Sequence, residues 1–116
     1  MRRKANKYKA KKCKIDGYTF DSLMEGRRYS KLKLLERVGE IKDLEVHPAY
    51  PIVWPGTDTK ICVVELDFRY KKNSYPYPWL EVAEDVKGCK TALSSLKKKL
   101  VEAMYEITVT LITKVQ

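Results

Sequence analysis

A mixed α/β sandwich with a central sheet is the fold class that this 116-residue chain predicts. Three observations carry that expectation. Two stretches with apolar residues at helical spacing, near 22–38 and 91–105, alternate with extended segments rich in β-branched and aromatic residues. The elements follow in the order hairpin, helix, strand, strand, strand, helix, strand, a mixture that buries one sheet between helices. With 44% apolar residues the chain can bury a core, and its length suits one domain.

Residues 2–14 contain Arg2, Arg3, Lys4, Lys7, Lys9, Lys11, Lys12 and Lys14, and no acid. Residues 15–116 hold sixteen basic and fifteen acidic residues, so nearly all of the net charge of +9 is local. The expected organisation is a basic arm over 1–14 and a single domain over 15–116. Such an arm neutralises phosphates and releases their counterions, which makes nucleic acid the favoured partner over a merely solubilising role. Tyr8 is available to stack on a base or sugar.

Each element then has its own local reason. Lys14 to Phe20 reads as a hairpin turning at Asp16-Gly17, a favoured turn pair. Asp21 or Ser22 caps a helix from about Ser22 to Val38, ending near Gly39, with Leu23, Met24, Leu32, Leu35 and Val38 inward. Ile41 to Val53 is extended but interrupted at Pro48 and Pro51, which suits an edge strand. Trp54 to Asp58 is a turn. Two strands follow, Ile61 to Tyr70 and Trp79 to Lys87, the second broken by Gly88. Thr91 to Tyr105 places Leu93, Leu96, Leu100 and Met104 at helical spacing, with Lys97, Lys98 and Lys99 mostly outside. Thr108 to Thr113 is a final β-branched strand.

Several function classes are excluded. No apolar run approaches the length of a membrane span. The opening Met1-Arg-Arg-Lys lacks the apolar stretch of a secretory signal, and Cys13, Cys62 and Cys89 are odd in number and scattered, so reduced thiols in a cytosol are expected. His47 is the only histidine, which removes His-rich zinc sites and His-based triads and leaves it as a structural or substrate-contacting residue. Trp54 and Trp79 are expected in core or interface. No Gly-rich phosphate loop is present.

The chemistry lies in the strands. Alternate side chains face opposite ways. In Ile61 to Tyr70 the even positions are Cys62, Val64, Leu66, Phe68 and Tyr70, an apolar face, whereas Glu65, Asp67 and Arg69 share the other. In the next strand Glu81, Ala83, Asp85 and Lys87 share a face, and Glu84 falls on the apolar side. An antiparallel pairing of the two brings Asp67, Asp85 and Lys87 together. Two carboxylates in one place repel unless a cation lies between them, and hard oxygen donors suit Mg²⁺ or Mn²⁺. Lys87 then orients a water or stabilises transition-state charge. Glu25 borders the buried stripe of the first helix and supplies a third acid of the kind a two-metal phosphodiesterase site needs. Arg27 and Arg28 beside it are candidates for phosphate contact, and Lys90, Lys97 and Lys98 for lining a DNA path.

Three blocks of residues carry a family resemblance: Tyr18-Thr-Phe-Asp-Ser-Leu-Met-Glu-Gly-Arg-Arg-Tyr, Leu66-Asp-Phe-Arg-Tyr and Glu84-Asp-Val-Lys-Gly-Cys-Lys-Thr. Together they resemble the PD-(D/E)XK nuclease superfamily, and within it a small phage family of endonuclease I-like, Holliday junction-resolving enzymes formerly of unknown function. The resemblance implies a restriction-endonuclease-like core ordered α-β-β-β-α-β. It implies metal-dependent hydrolysis of DNA, with Asp67 a shared metal ligand, Asp85 and Lys87 the (D/E)xK pair, the Val86 carbonyl a further ligand and Glu25 the helix acid. Leu66 stands where the superfamily name has Pro. The resemblance further implies branched or junction DNA as substrate, which calls for a homodimer making paired nicks, although a general DNA nickase fits the same site. It also implies residence in the cytoplasm of a bacterial host of a phage or prophage. A non-catalytic basic nucleic-acid-binding module, acting through the arm alone, is the competing reading.

Overall fold

The computed structural model describes residues 12–76, 78–87 and 91–113. Arg2, Arg3, Lys4, Lys7, Lys9 and Lys11 of the expected arm, and Lys90, lie outside these. The elements in chain order are β1 (Cys13–Ile15), β2 (Tyr18–Phe20), α1 (Leu23–Arg37), β3 (Ile41–Val46), β4 (Ala49–Val53), β5 (Lys60–Glu65), β6 (Phe68–Lys72), β7 (Leu80–Val86), α2 (Ala92–Tyr105) and β8 (Thr108–Ile112).

The sheet that organises the molecule is mixed and four-stranded, in the order β3-β6-β7-β8. β3, β6 and β7 run antiparallel in turn, whereas β8 is parallel to β7. A parallel neighbour cannot be reached by a tight turn, and α2 provides the crossover. β1 and β2 form a separate hairpin whose turn residues, Asp16 and Gly17, both have positive φ (52° and 85°), as a two-residue turn of this hand requires.

Two extended segments depart from the expected pattern, the first read as one interrupted edge strand and the second as one continuous strand. Ile41 to Val53 divides into β3 and β4, and Ile61 to Tyr70 into β5 and β6, with β4 and β5 pairing as a separate ribbon. The cause is a shared bend. Pro48 has no amide to offer a sheet and His47 adopts a left-handed φ of 55°, so regular pairing stops there. The two chains stay bonded across the gap: the His47 amide donates to the Asp67 carbonyl at 2.9 Å, and the Leu66 amide to the Pro48 carbonyl at 3.0 Å. The result is one long hairpin, bent so that its near half joins the sheet and its tip folds away from it.

The sheet buries both faces. Neighbouring residues of β7 show this, because Val82 belongs to one core and Ala83 to the other. On the first face, α1 and the β1–β2 hairpin cover Ile41, Phe68, Tyr70, Val82 and Val86 with Phe20, Tyr29 and Leu32. On the second, α2 and the β4–β5 ribbon bring Val101, Tyr50, Ile52, Val64 and Leu66 onto Ala83 and Val109. The stripe of α1 is rotated from its expected position: Glu25, Gly26, Tyr29 and Leu32 are buried, and Leu23 and Val38 are exposed. In α2, Ser94 and Val101 are buried, while Leu93 and Leu96 lie largely in solvent and Met104 is partly exposed, its sulfur accepting the Val53 amide. Trp54, at the ribbon tip, is 60% exposed rather than buried, and Trp79 is half-buried under the Lys42 ammonium.

Gly26 is where the hairpin meets α1. A Cβ there would lie 2.4 Å from Cys13 Sγ and 3.2 Å from Ile15 Cδ1. Gly26→Ala is therefore expected to destabilise the fold by about 1–3 kcal/mol through overpacking. Adding Cys13→Ala, which removes the nearest atom, should recover part of that loss; denaturant unfolding of the single and double variants measures both.

Candidate metal centre

The bend of the long hairpin determines what surrounds Asp67. Its carbonyl accepts from His47, its amide donates to the Glu84 carbonyl at 3.0 Å, and its carboxylate Oδ2 accepts the Val86 amide at 2.7 Å. Asp67 is thus bound to β7 by backbone and side chain together. The antiparallel pairing of β6 and β7 ends at Phe68–Glu84, and Asp67 lies just beyond it, close to Asp85. The β3–β6 pairing ends at Val46–Phe68, and continuing it by one residue sets His47 opposite Asp67, in agreement with their backbone hydrogen bond. His47 and Asp67 thus come from the bend just outside β3 and β6, and Asp85 from β7.

Glu25 arrives from α1. Ser22 caps the helix by accepting the Glu25 amide at 3.1 Å, and the Ser22 hydroxyl lies 3.4 Å from Glu25 Oε2. A helix acid three residues after its cap bends back over the N-terminus, which fixes the carboxylate locally. Glu25 is 8% exposed, so it sits within the buried stripe, not at its border. One ligand atom each from Glu25, His47 and Asp67 lie within 4.8 Å of one another. Asp85, 4% exposed, adjoins Asp67 from β7, and its Oδ2 lies 3.7 Å from the half-exposed Lys87 ammonium.

Burial and repulsion act together on these acids. Burial pushes the Asp67 carboxyl up to about 8, with the charges of Glu25 and Asp85 acting in the same direction against the Val86 hydrogen bond. Burial likewise raises Glu25 above the usual carboxylate range. The cluster holds three carboxylates and one ammonium and favours an added positive charge. A divalent cation fits the donors: carboxylate oxygens suit Mg²⁺ and Mn²⁺, and an imidazole nitrogen adds weight to Mn²⁺ and the later divalent metals.

Glu25, expected from the first helix, and Asp67, expected from strand alternation, converge here; Asp85 adjoins Asp67, and Lys87 stands beside Asp85. His47, expected to be structural or a substrate contact, joins them as a potential ligand. Its place before Pro48 marked an interruption in the sequence, but only the structure sets it opposite Asp67 across the bend. Its ring also packs on Phe20, centroids 5.8 Å apart, which limits its orientation. Val86 contributes its amide to Asp67 and its side chain to the α1-side core. Arg28, a candidate for phosphate contact, makes an ion pair with buried Glu84. Arg27 is exposed on α1, Lys12 is exposed just before the hairpin and Lys14 on its strand β1, and Lys97 is half-buried on α2. Lys98 pairs with Glu102 at 2.9 Å.

The family model described as a protein of unknown function (DUF1064) matches residues 5–116, and the chain belongs to that family. Neither the curated proteins nor the solved structures contain a match to the sequence.

The raised Asp67 carboxyl has a consequence for stability. Between an ordinary carboxylate value near 4 and about 8, the folded chain binds more protons at this site than the unfolded one, so stability falls as pH rises through that window. Asp67→Asn removes the charge and keeps an oxygen for the Val86 amide. Partial hydration of Asp67 screens the repulsion, so the variant should gain about 2 kcal/mol above pH 8 and little at pH 4. Denaturant unfolding in chelator at several pH values measures the difference.

Proposed function

We propose that this member of the DUF1064 family is a divalent-metal-dependent endonuclease that hydrolyses phosphodiester bonds in DNA, with branched or junction DNA as its substrate. The convergence of the Glu25, His47 and Asp67 ligand atoms, with Asp85 and Lys87 alongside, carries the reading. A purely passive DNA binder has no use for three acids crowded beneath a phosphate path, because they repel the ligand. The element order α1, β3, β6, β7, α2, β8, once the β4–β5 ribbon is set aside, also agrees with the nuclease core implied by the sequence blocks.

In this reading Glu25, Asp67, Asp85 and, through an imidazole nitrogen, His47 hold Mn²⁺ or Mg²⁺. The bound cation supplies Lewis acidity at a phosphoryl oxygen and lowers the pKa of a coordinated water. The Val86 amide holds the Asp67 carboxylate in one orientation, and the Ser22 cap does the same for Glu25. Lys87, on the exposed side of Asp85, stabilises the charge that develops on the phosphoryl group as the ester bond breaks. Asp85 in turn keeps the Lys87 ammonium near the reacting centre.

Linear duplex, single-stranded and four-way junction DNA, each with Mg²⁺, Mn²⁺ or chelator, form the test. Metal-dependent cleavage of the junction in preference to the others is expected. Asp67→Ala and Lys87→Ala should each lower cleavage at least about 100-fold while leaving DNA affinity largely intact. His47→Asn should weaken Mn²⁺ binding by about 10-fold or more and affect Mg²⁺ less, as isothermal titration would report.

The basic arm favours a second reading, a nucleic-acid-binding module without turnover. It predicts no cleavage of any substrate. Under either reading, removal of residues 1–11 takes away six basic side chains and should flatten the salt dependence of DNA binding by up to about five in slope.

A further inference from the structure

One titratable cluster lies next to the metal centre without belonging to it. Arg28 Nε donates to Glu84 Oε1 at 2.7 Å and Nη2 donates to Oε2 at 2.6 Å, a two-pronged contact on a carboxylate that is 1% exposed. The Tyr70 hydroxyl donates to the same Oε2. Both Glu84 oxygens are therefore engaged. Glu84 lies between Val82 and Val86, which face the α1-side core, so its side chain projects from the opposite face of β7 to that of Asp85. It is no rival ligand.

The cluster joins the two elements that must agree for the metal centre to form. Arg28 stands three residues, nearly one turn, after Glu25 on α1. Glu84 directly precedes Asp85 on β7. Net stability is a poor explanation for such a pair, because desolvating both ions offsets much of their attraction. Position is a better one. Apolar contacts such as Leu32 on Phe68 tolerate small shifts, whereas a planar guanidinium fork meets a carboxylate in a narrow range of geometries.

We infer that the Arg28–Glu84–Tyr70 clamp is a positioning device that sets α1 against β7 and thereby brings Glu25 to Asp67 and Asp85. The inference rests on the metal-site reading above. None of the three residues touches the cation or the substrate; they act through Glu25 and Asp85.

Mn²⁺ titration of the full chain tests it. The triple variant Arg28→Met, Tyr70→Phe, Glu84→Leu replaces the network with apolar groups of similar size and leaves no buried polar orphan. It is expected to unfold cooperatively near the wild-type temperature yet bind Mn²⁺ about 10- to 100-fold more weakly, the range seen when partners that orient a metal ligand are removed. Arg28→Lys separates geometry from charge. It keeps the cation beside Glu84 and loses the fork, so it should also bind Mn²⁺ about 10-fold more weakly. Lys33→Ala, which removes the partly exposed Lys33–Glu36 pair of the same helix, should bind as the wild type does.

Wild-type Mn²⁺ affinity in a folded triple variant overturns the positioning role and leaves the metal site standing. Should the triple variant fail to fold, Arg28→Lys and Glu84→Gln decide: wild-type affinity in both overturns the inference, and weakened affinity in both, with cooperative unfolding retained, supports it. Absence of Mn²⁺ binding by the wild-type chain overturns the metal-site reading and the clamp together.

Discussion

Asp67 is held by three contacts from two neighbouring segments at once, and this constraint shapes the rest of the molecule. Its carbonyl is held by His47, its amide by the Glu84 carbonyl and its carboxylate by the Val86 amide. All three contacts exist because the long hairpin bends at His47–Pro48 and Leu66–Asp67. Without the bend Asp67 would be one more alternating strand residue. With it, a side-chain oxygen takes a backbone partner at the point where β6 begins, and buried amides stay satisfied through the turn. The bend also throws the β4–β5 ribbon across the second face of the sheet, where Tyr50, Ile52 and Val64 complete the core under α2. One departure from regular pairing therefore closes a core and assembles a polar centre.

That centre works against the fold that carries it. Three carboxylates are gathered where burial disfavours their charged forms, and Asp67 and Glu25 hold their protons more tightly in consequence. Stability is given up locally, as is common at sites that act on ligands. The surrounding contacts offset it: Ser22 caps α1, the Tyr29 hydroxyl donates to the Asp16 turn at 2.8 Å, and Gly26 lets the hairpin approach the helix closely. These contacts hold α1 from one side and the Arg28–Glu84 pair holds it from the other.

The two carboxylates at 84 and 85 illustrate how strand geometry divides labour. They are adjacent in sequence, yet one faces a guanidinium in the α1-side core and the other faces Asp67. Alternation alone separates them, as it separates Val82 from Ala83 two residues earlier. Neither their charge nor their burial distinguishes them, since both are nearly inaccessible. Their partners do.

Local patterns in the chain were enough to determine the hairpin at Asp16-Gly17, the N-terminal cap of α1, the approximate extents of both helices, the β7 and β8 strands and the face shared by Asp85 and Lys87. Each depends on residues within a few positions of one another, where turn chemistry, capping and alternation act directly. Tertiary structure alone decided the rest. Pro48 marked an interruption, but the splitting of both long segments between two sheets depended on a partner strand bending at the same place. The rotation of α1 that buries Glu25 and exposes Leu23 followed from the close contact at Gly26 and from the fork on Glu84, neither of which helical periodicity contains. His47 entered the acidic cluster for the same reason: its neighbours there are twenty residues away in the chain and meet it only across the bend.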